Sequence, residues 1–175
     1  LGQNKNNTLL EVTNNVPVHK GDVFFIESGT LHAIGKGILI AEIQQNSNTT
    51  YRVYDYGRVG KDGKPRELHI EKAIDVTELC PPKYDTKPQG KPVKIDGGEE
   101  TLLRSCEYFD VHKIKVSGTV TLDADEKSFM SVLVLDGNGK IGELDAKKGD
   151  SFFVPAGYGR FTLTGNLEVI LSDIV

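Results

Sequence analysis

The sequence predicts an all-β protein, a sandwich, jelly roll or barrel. Two observations carry that prediction. Short apolar runs rich in β-branched and aromatic residues are separated by glycine turns, most densely after residue 92. A ten-residue passage also occurs twice, far apart in the chain, as a duplicated module would. Helical signals are confined to two short stretches.

The 175 residues suffice for one sizeable core or two small ones. A net charge of −4 argues against a nucleic-acid binder, which would show a basic face. No apolar run approaches the roughly 20 residues that span a bilayer, so no membrane partner is expected. The N-terminus shows no basic, apolar leader. Cys80 and Cys106 stand in unrelated contexts, neither a disulfide framework nor a metal knuckle, and a cytoplasmic location is the default. The chain opens Leu1-Gly2-Gln3 and enters a motif within about twenty residues, which reads as a fragment.

In chain order, residues 1–7 are polar and Asn-rich. Thr8-Leu9-Leu10-Glu11 has the form of a capping box, predicting one or two helical turns to about Asn14. Residues 23–26, 38–43 and 49–54 read as strands. Residues 57–64 are a glycine-rich solvent loop. Pro65 and Glu67 suit a helix start, and apolar residues at 70, 73 and 74 follow helical spacing, so a helix is predicted over about 67–76. Residues 77–92, with four prolines from position 80 on, read as a linker between a module at 1–76 and another at 93–175. Beyond it, residues 109–116, 129–135, 151–154, 160–163 and 167–174 are predicted strands. Asp136-Gly137-Asn138-Gly139 reads as a hairpin turn.

The repeat pairs Lys20-Gly21-Asp22-Val23-Phe24-Phe25-Ile26-Glu27-Ser28-Gly29 with Lys148-Gly149-Asp150-Ser151-Phe152-Phe153-Val154-Pro155-Ala156-Gly157, six of ten identical at an offset of 128. Gly-Asp makes a tight turn, the apolar run plugs an interior, and the second glycine reverses the chain. Three residues after that glycine stands His32 in the first copy and Arg160 in the second. The pattern G-D-x-x-x-(I/V)-x-x-G-x-x-H resembles the second motif of the cupins, double-stranded β-helices that hold a metal inside the barrel. The resemblance implies an incomplete first cupin followed by a complete second cupin-like barrel that lacks the metal.

The tract from Gly29-Thr30-Leu31-His32-Ala33 through Ala41-Glu42-Ile43, Thr50-Tyr51-Arg52-Val53-Tyr54-Asp55-Tyr56-Gly57-Arg58 and Lys64-Pro65-Arg66-Glu67-Leu68-His69 resembles the type I mannose-6-phosphate isomerases in their shorter bacterial form. That resemblance implies one zinc per full-length protein and interconversion of mannose 6-phosphate and fructose 6-phosphate. It makes His32 a zinc ligand, Glu42 and Arg52 active-site residues and Arg58 a substrate-binding cation. The residue types suit an enediolate path. Zinc would polarise the substrate oxygens, a carboxylate or histidine would move the proton, and arginine would stabilise an oxyanion or clamp a phosphate.

Catalytic zinc needs three protein ligands and an open position. The family's other ligands, and its His-Lys-Pro-Glu signature, are expected upstream of Leu1. The chain by itself is therefore expected to be inactive, with zinc absent or weakly held. Read without the resemblance, Glu42 is as well explained by a structural pair with Arg52. His69 reads as part of a solvated helix face, His112 as a half-buried hydrogen-bonded residue, and Arg160 as a partner of Asp150 or Glu143. The alternative function is a non-catalytic bicupin module that binds sugar or anion or packs in an assembly. Strand edges left open in the first module would favour a homodimer.

Overall fold

The computed structural model describes residues 8–175. They divide into two compact units, one of residues 8–20 and Phe24–Asp85, the other of Gly21–Val23 and Thr86–Val175.

The second unit is an antiparallel sheet of β1 (Val93–Ile95), β2 (Gly98–Ser105), β3 (Asp110–Val116), β4 (Thr119–Ala124), β5 (Met130–Ile141), β6 (Leu144–Lys147), β7 (Ser151–Val154) and β8 (Gly159–Asp173). The path runs β1-β2-β3-β8-β5-β6, with β4 added on β8 and β7 on β5. Alternation sends one face of each strand inward. Ile114, Val132, Leu163 and Val169 are fully buried there, joined by Val116, Val120, Val134, Phe161 and Leu171 in one apolar cluster.

Two predictions for this half are corrected. Asp136-Gly137-Asn138-Gly139 is not a hairpin turn but the middle of β5, just past a bulge between Val134 and Asp136. The reversal comes later, at Gly142-Glu143, where Ile141 pairs with Leu144. Gly137 and Gly139 are needed because a Cβ on either would run into the β8 backbone, at the carbonyls of Asn166 and Thr164. Residues 160–163 and 167–174 likewise are not two strands. β8 continues through Gly165-Asn166, which pair with Gly139 and Asn138.

In the first unit, helix α1 (Ile70–Val76) begins later than predicted, with His69 at its N-cap and no side-chain cap bond. The Thr8–Glu11 signal yields only a single 3-10 turn, Leu9–Glu11, in which Thr8 makes no side-chain cap bond. Residues 23–26, 38–43 and 49–54, of which Val23 falls in the second unit, are not strands. The physical reason is the lack of a ladder: the described residues give these runs only single backbone bonds, Val23 N–H to Thr86 O and His69 N–H to Arg52 O, and β propensity without a run of cross-strand partners does not make a sheet. Phe24, Ile26, Ile38, Ile40 and Leu39 are exposed, Leu39 at 90%.

The repeat is nonetheless visible in the backbone. Gly21 and Gly149 adopt φ of 98° and 90°, Gly29 and Gly157 87° and 73°. The second turn closes alike in both copies, Thr30 N–H to Glu27 O at 3.1 Å and Tyr158 N–H to Pro155 O at 3.2 Å. Among the described residues only the second copy has a strand to pair with, β7 against β5.

Candidate functional site

The densest polar chemistry of the first unit surrounds Asp55. A tight turn, Asp55-Tyr56-Gly57-Arg58, closes by a bond from Arg58 N–H to Asp55 O at 2.9 Å. Tyr56 takes φ 54° and Gly57 67°. A bulky residue in the left-handed region is a costly conformation held by its surroundings. The Tyr54 ring meets Tyr56 edge-on at 4.9 Å between centroids, and the Arg58 guanidinium lies 5.6 Å over Tyr56.

Asp55 is buried, with both oxygens on Arg66: Nε donates to Oδ2 at 2.7 Å, and Nη2 donates to Oδ1. Arg52 Nε lies 4.0 Å from the same Oδ1, and Arg52 Nη1 donates to Glu67 O at 3.2 Å. The Arg66 hydrogen bonds, and then the charges of Arg66, Arg52 and Arg58, hold the Asp55 carboxyl below the usual carboxylate range against the opposing effect of burial.

His69 corrects a prediction. It is half-buried and not on a solvated face: its Nδ1 accepts the Arg52 N–H at 3.1 Å, while its own N–H donates to Arg52 O at 2.7 Å. Arg52 is thus tied by its backbone to the start of α1 and by its side chain to Asp55 and Glu67.

His32 is exposed, with Nδ1 2.9 Å from Thr30 O. Donation to that carbonyl leaves Nε2 as the lone-pair nitrogen, the form a metal ligand takes. Glu42 is exposed, and no hydrogen bond or ion pair joins it to Arg52 or His32 among the described residues. The alternative pairing of Glu42 with Arg52 is overturned, since Asp55 is the carboxylate beside Arg52. Among the described residues, no group of three or more His, Cys, Asp or Glu side chains could hold a metal ion. By themselves they do not fit a catalytic zinc, so no chemical step is derived through one.

In the second unit Arg160 is exposed and pairs with Asp123 at 3.7 Å, not with Asp150 or Glu143. The two face each other across β4 and β8, a contact set by register and not by sequence proximity. His112 is half-buried with Nδ1 2.9 Å from Glu100 Oε1, a close contact without hydrogen-bond alignment. Asp110 and Asp173 are opposite one another on β3 and β8, each with a buried Oδ1 lacking a hydrogen-bond partner. Burial pushes the Asp173 carboxyl above its usual range; His112 opposes this, while Asp110 and Asp125 reinforce it. Two open depressions in this unit, one lined by Lys140, Asp145 and Asp150 and the other by Lys94, Glu99 and Lys115, contain none of the sequence-predicted site residues.

Of those residues, then, Arg52 reaches Asp55 by its side chain and Arg58 only through the backbone of the turn, whereas His32 and Glu42 remain separate exposed groups. Sequence reasoning missed Asp55, Arg66 and His69. Their only local signals were the Tyr-Gly step in Asp55-Tyr56-Gly57-Arg58 and the Pro65-Arg66 that follows the glycine loop.

Residues 98–174 match the family model described as mannose-6-phosphate isomerase, cupin domain. The chain is 43% identical over 168 residues to mannose-6-phosphate isomerase ManA of Bacillus subtilis, covering 94% of this chain and 52% of that protein. It is 40% identical over 161 residues to the mannose-6-phosphate isomerase of Streptococcus mutans, covering 90% and 50%. The chain therefore spans about half the length of these curated relatives. A crystal structure of the Bacillus subtilis mannose 6-phosphate isomerase superposes with a TM-score of 0.63 and 36% identity, over 73% of this chain and 41% of that one. The antiparallel fold is that of a cupin.

Proposed function

From the premise that this chain is a relative of the mannose-6-phosphate isomerases, with that family's cupin domain at residues 98–174, we propose that it is part of an enzyme interconverting mannose 6-phosphate and fructose 6-phosphate. The observation that carries the reading is 43% identity to an isomerase along 94% of the chain. The residue types suit that chemistry. A carboxylate such as Glu42 removes the C2 proton of the aldose, and the electron pair left behind forms the C1=C2 bond of an enediolate. Negative charge collects on O1, where the Arg52 guanidinium stabilises it. The same carboxylate returns the proton to C1 while the O2 proton passes to O1, leaving the C2 ketone. Arg58 meets the phosphate.

His32, with Nε2 free, contributes one imidazole to a zinc site whose other ligands lie outside the described residues. Residues 1–76 are proposed as part of the catalytic cupin, 77–92 as the linker, and 93–175 as the second cupin without a metal. The enzyme is proposed to be cytoplasmic; no helix among the described residues is long and apolar enough to cross a membrane. The exposed apolar run at 38–40 supports homodimer formation by the chain, which sedimentation equilibrium would read as a doubled mass.

The test compares the 175-residue chain with a longer protein that carries it, for metal content and for conversion of mannose 6-phosphate. The longer protein is expected to turn over and to lose activity on chelation, while the chain by itself holds less than one zinc and does not turn over. Stoichiometric zinc in the chain, or no isomerisation by the longer protein, would overturn the proposal. The alternative, a non-catalytic anion-binding module, is favoured by the arginine cluster and would show phosphate binding without turnover in either form.

A further inference from the structure

We infer that His69 is a positioning residue: its imidazole takes the backbone N–H of Arg52 and so sets where the Arg52 guanidinium stands. The inference deepens the proposed isomerase reading and rests on it for the role of Arg52. His69 occupies the N-cap of α1. That position favours Ser, Thr, Asp or Asn, whose oxygens accept a free N–H of the first turn. The His69 side chain makes no cap bond. It turns instead to Arg52, whose N–H donates to Nδ1 at 3.1 Å.

The backbone shows why a side chain is needed there. In an antiparallel bridge two facing residues exchange both bonds, each N–H to the other's C=O. Half of that exchange is present, His69 N–H donating to Arg52 O at 2.7 Å. The other half is diverted, because His69 O accepts the Ala73 N–H at 2.9 Å, the bond that opens α1. The imidazole supplies the acceptor that the carbonyl gives to the helix. A backbone N–H can only donate, so Nδ1 holds the lone pair and the neutral ring carries its proton on Nε2. Glu67 Oε2 lies 3.9 Å from Nε2, and the ring sits beside Tyr51 at 6.1 Å between centroids. Arg52 Nη1 also donates to Glu67 O at 3.2 Å, so residues 67–69 hold Arg52 by both backbone groups and by its side chain. A guanidinium stabilises an oxyanion best when it is fixed before the charge develops. His69 acts through Arg52 and does not touch the substrate.

The experiment has two readouts. In the nitrogen-labelled 175-residue chain, a scalar coupling across the hydrogen bond is expected to join the Arg52 amide nitrogen to His69 Nδ1, which should resonate as an unprotonated ring nitrogen. In a longer protein that carries the chain, His69→Ser installs a preferred cap residue too short to reach Arg52. Its urea midpoint is expected not to fall, while kcat for mannose 6-phosphate drops about tenfold, the scale of one hydrogen bond, with KM nearly unchanged. A merely structural histidine would do the reverse, lowering the midpoint and leaving kcat per folded molecule alone. Should His69→Ser fail to fold, His69→Phe decides: it keeps the shape of the ring, drops the acceptor, and is expected to lower kcat by a similar factor. Absence of the coupling, or native kcat in the folded variant, would overturn the inference. The coupling needs no turnover. A chain that shows it while the native longer protein fails to isomerise therefore sinks the isomerase reading, and with it the role given to Arg52, while the contact stands.

Discussion

Asp55 is buried and Asp173 half-buried, yet they bend the pH dependence of stability in opposite directions. Asp55 has its native pKa lowered, so it contributes stability above the ordinary carboxylate value of about 3.9. That contribution is lost as pH falls through the lowered native value. Asp173 has its native pKa raised by burial, so its contribution is complete below about 3.9 and disappears as pH rises through the raised value. Asp173→Asn is therefore expected to raise the urea midpoint of the second unit at pH 7 and to have less effect at pH 4. Asp55→Asn is expected to flatten the acid limb of the first unit's stability profile. Equal shifts of Asp173→Asn at both pH values would show that the Asp110–Asp173 juxtaposition carries no linkage. At this scale the site was half legible. Arg52, Arg58 and His32 stand out by residue type and motif. Asp55, Arg66 and His69 do not, because the contacts Arg66–Asp55 and Arg52–His69 join residues 11 and 17 apart, a pairing that composition does not announce.

Glycines separate the elements that sequence reasoning reads correctly from those it misreads. After residue 92 the strand runs at 110–116, 130–135 and 151–154 were legible from alternation and β-branched content, and their inward faces form the apolar cluster. The misreadings at 136–139 and 164–166 have one cause. Two strands approach so closely there that Gly139 faces Gly165, and glycines needed for a backbone contact look like turn residues. Substitution separates the two roles. Gly137→Ala adds a Cβ against the Asn166 carbonyl in a left-handed backbone and is expected to cost about 2–4 kcal/mol. Gly149 is also left-handed but has open space around it, so Gly149→Ala should cost only the backbone term of about 1–2 kcal/mol. Leu163→Ala, at the fully buried centre, belongs with the larger effects at about 2–5 kcal/mol. Urea denaturation of the three variants gives the order, and a Gly137→Ala no worse than Gly149→Ala would mean that β5 and β8 can move apart.

The two copies of the repeat show what a whole molecule adds to a local sequence. Lys20–Gly29 and Lys148–Gly157 share six residues, the same glycine conformations and the same closing turn bond, yet only the second becomes a strand. Local chemistry sets the turns. The strand between them needs a ladder, which β5 supplies to residues 151–154 and nothing among the described residues supplies to 23–26. The same contrast holds for 38–43 and 49–54, whose β-rich composition is as strong as that of β3. Backbone protection should follow this division, because amides paired in a buried sheet open only with large-scale unfolding, while unpaired extended chain opens at almost no cost. Hydrogen exchange on the 175-residue chain is expected to find β5 and β8 among its slowest amides and residues 38–43 among its fastest. In a longer protein that carries this chain and completes the first cupin, the same 38–43 amides should slow by orders of magnitude while those of β5 and β8 stay as they are. Slow exchange at 38–43 in the 175-residue chain would show that the run has found a partner, a second copy of the chain being the first to test by dilution. Fast exchange in both forms would mean that the first copy kept the turns of a cupin and gave up its sheet.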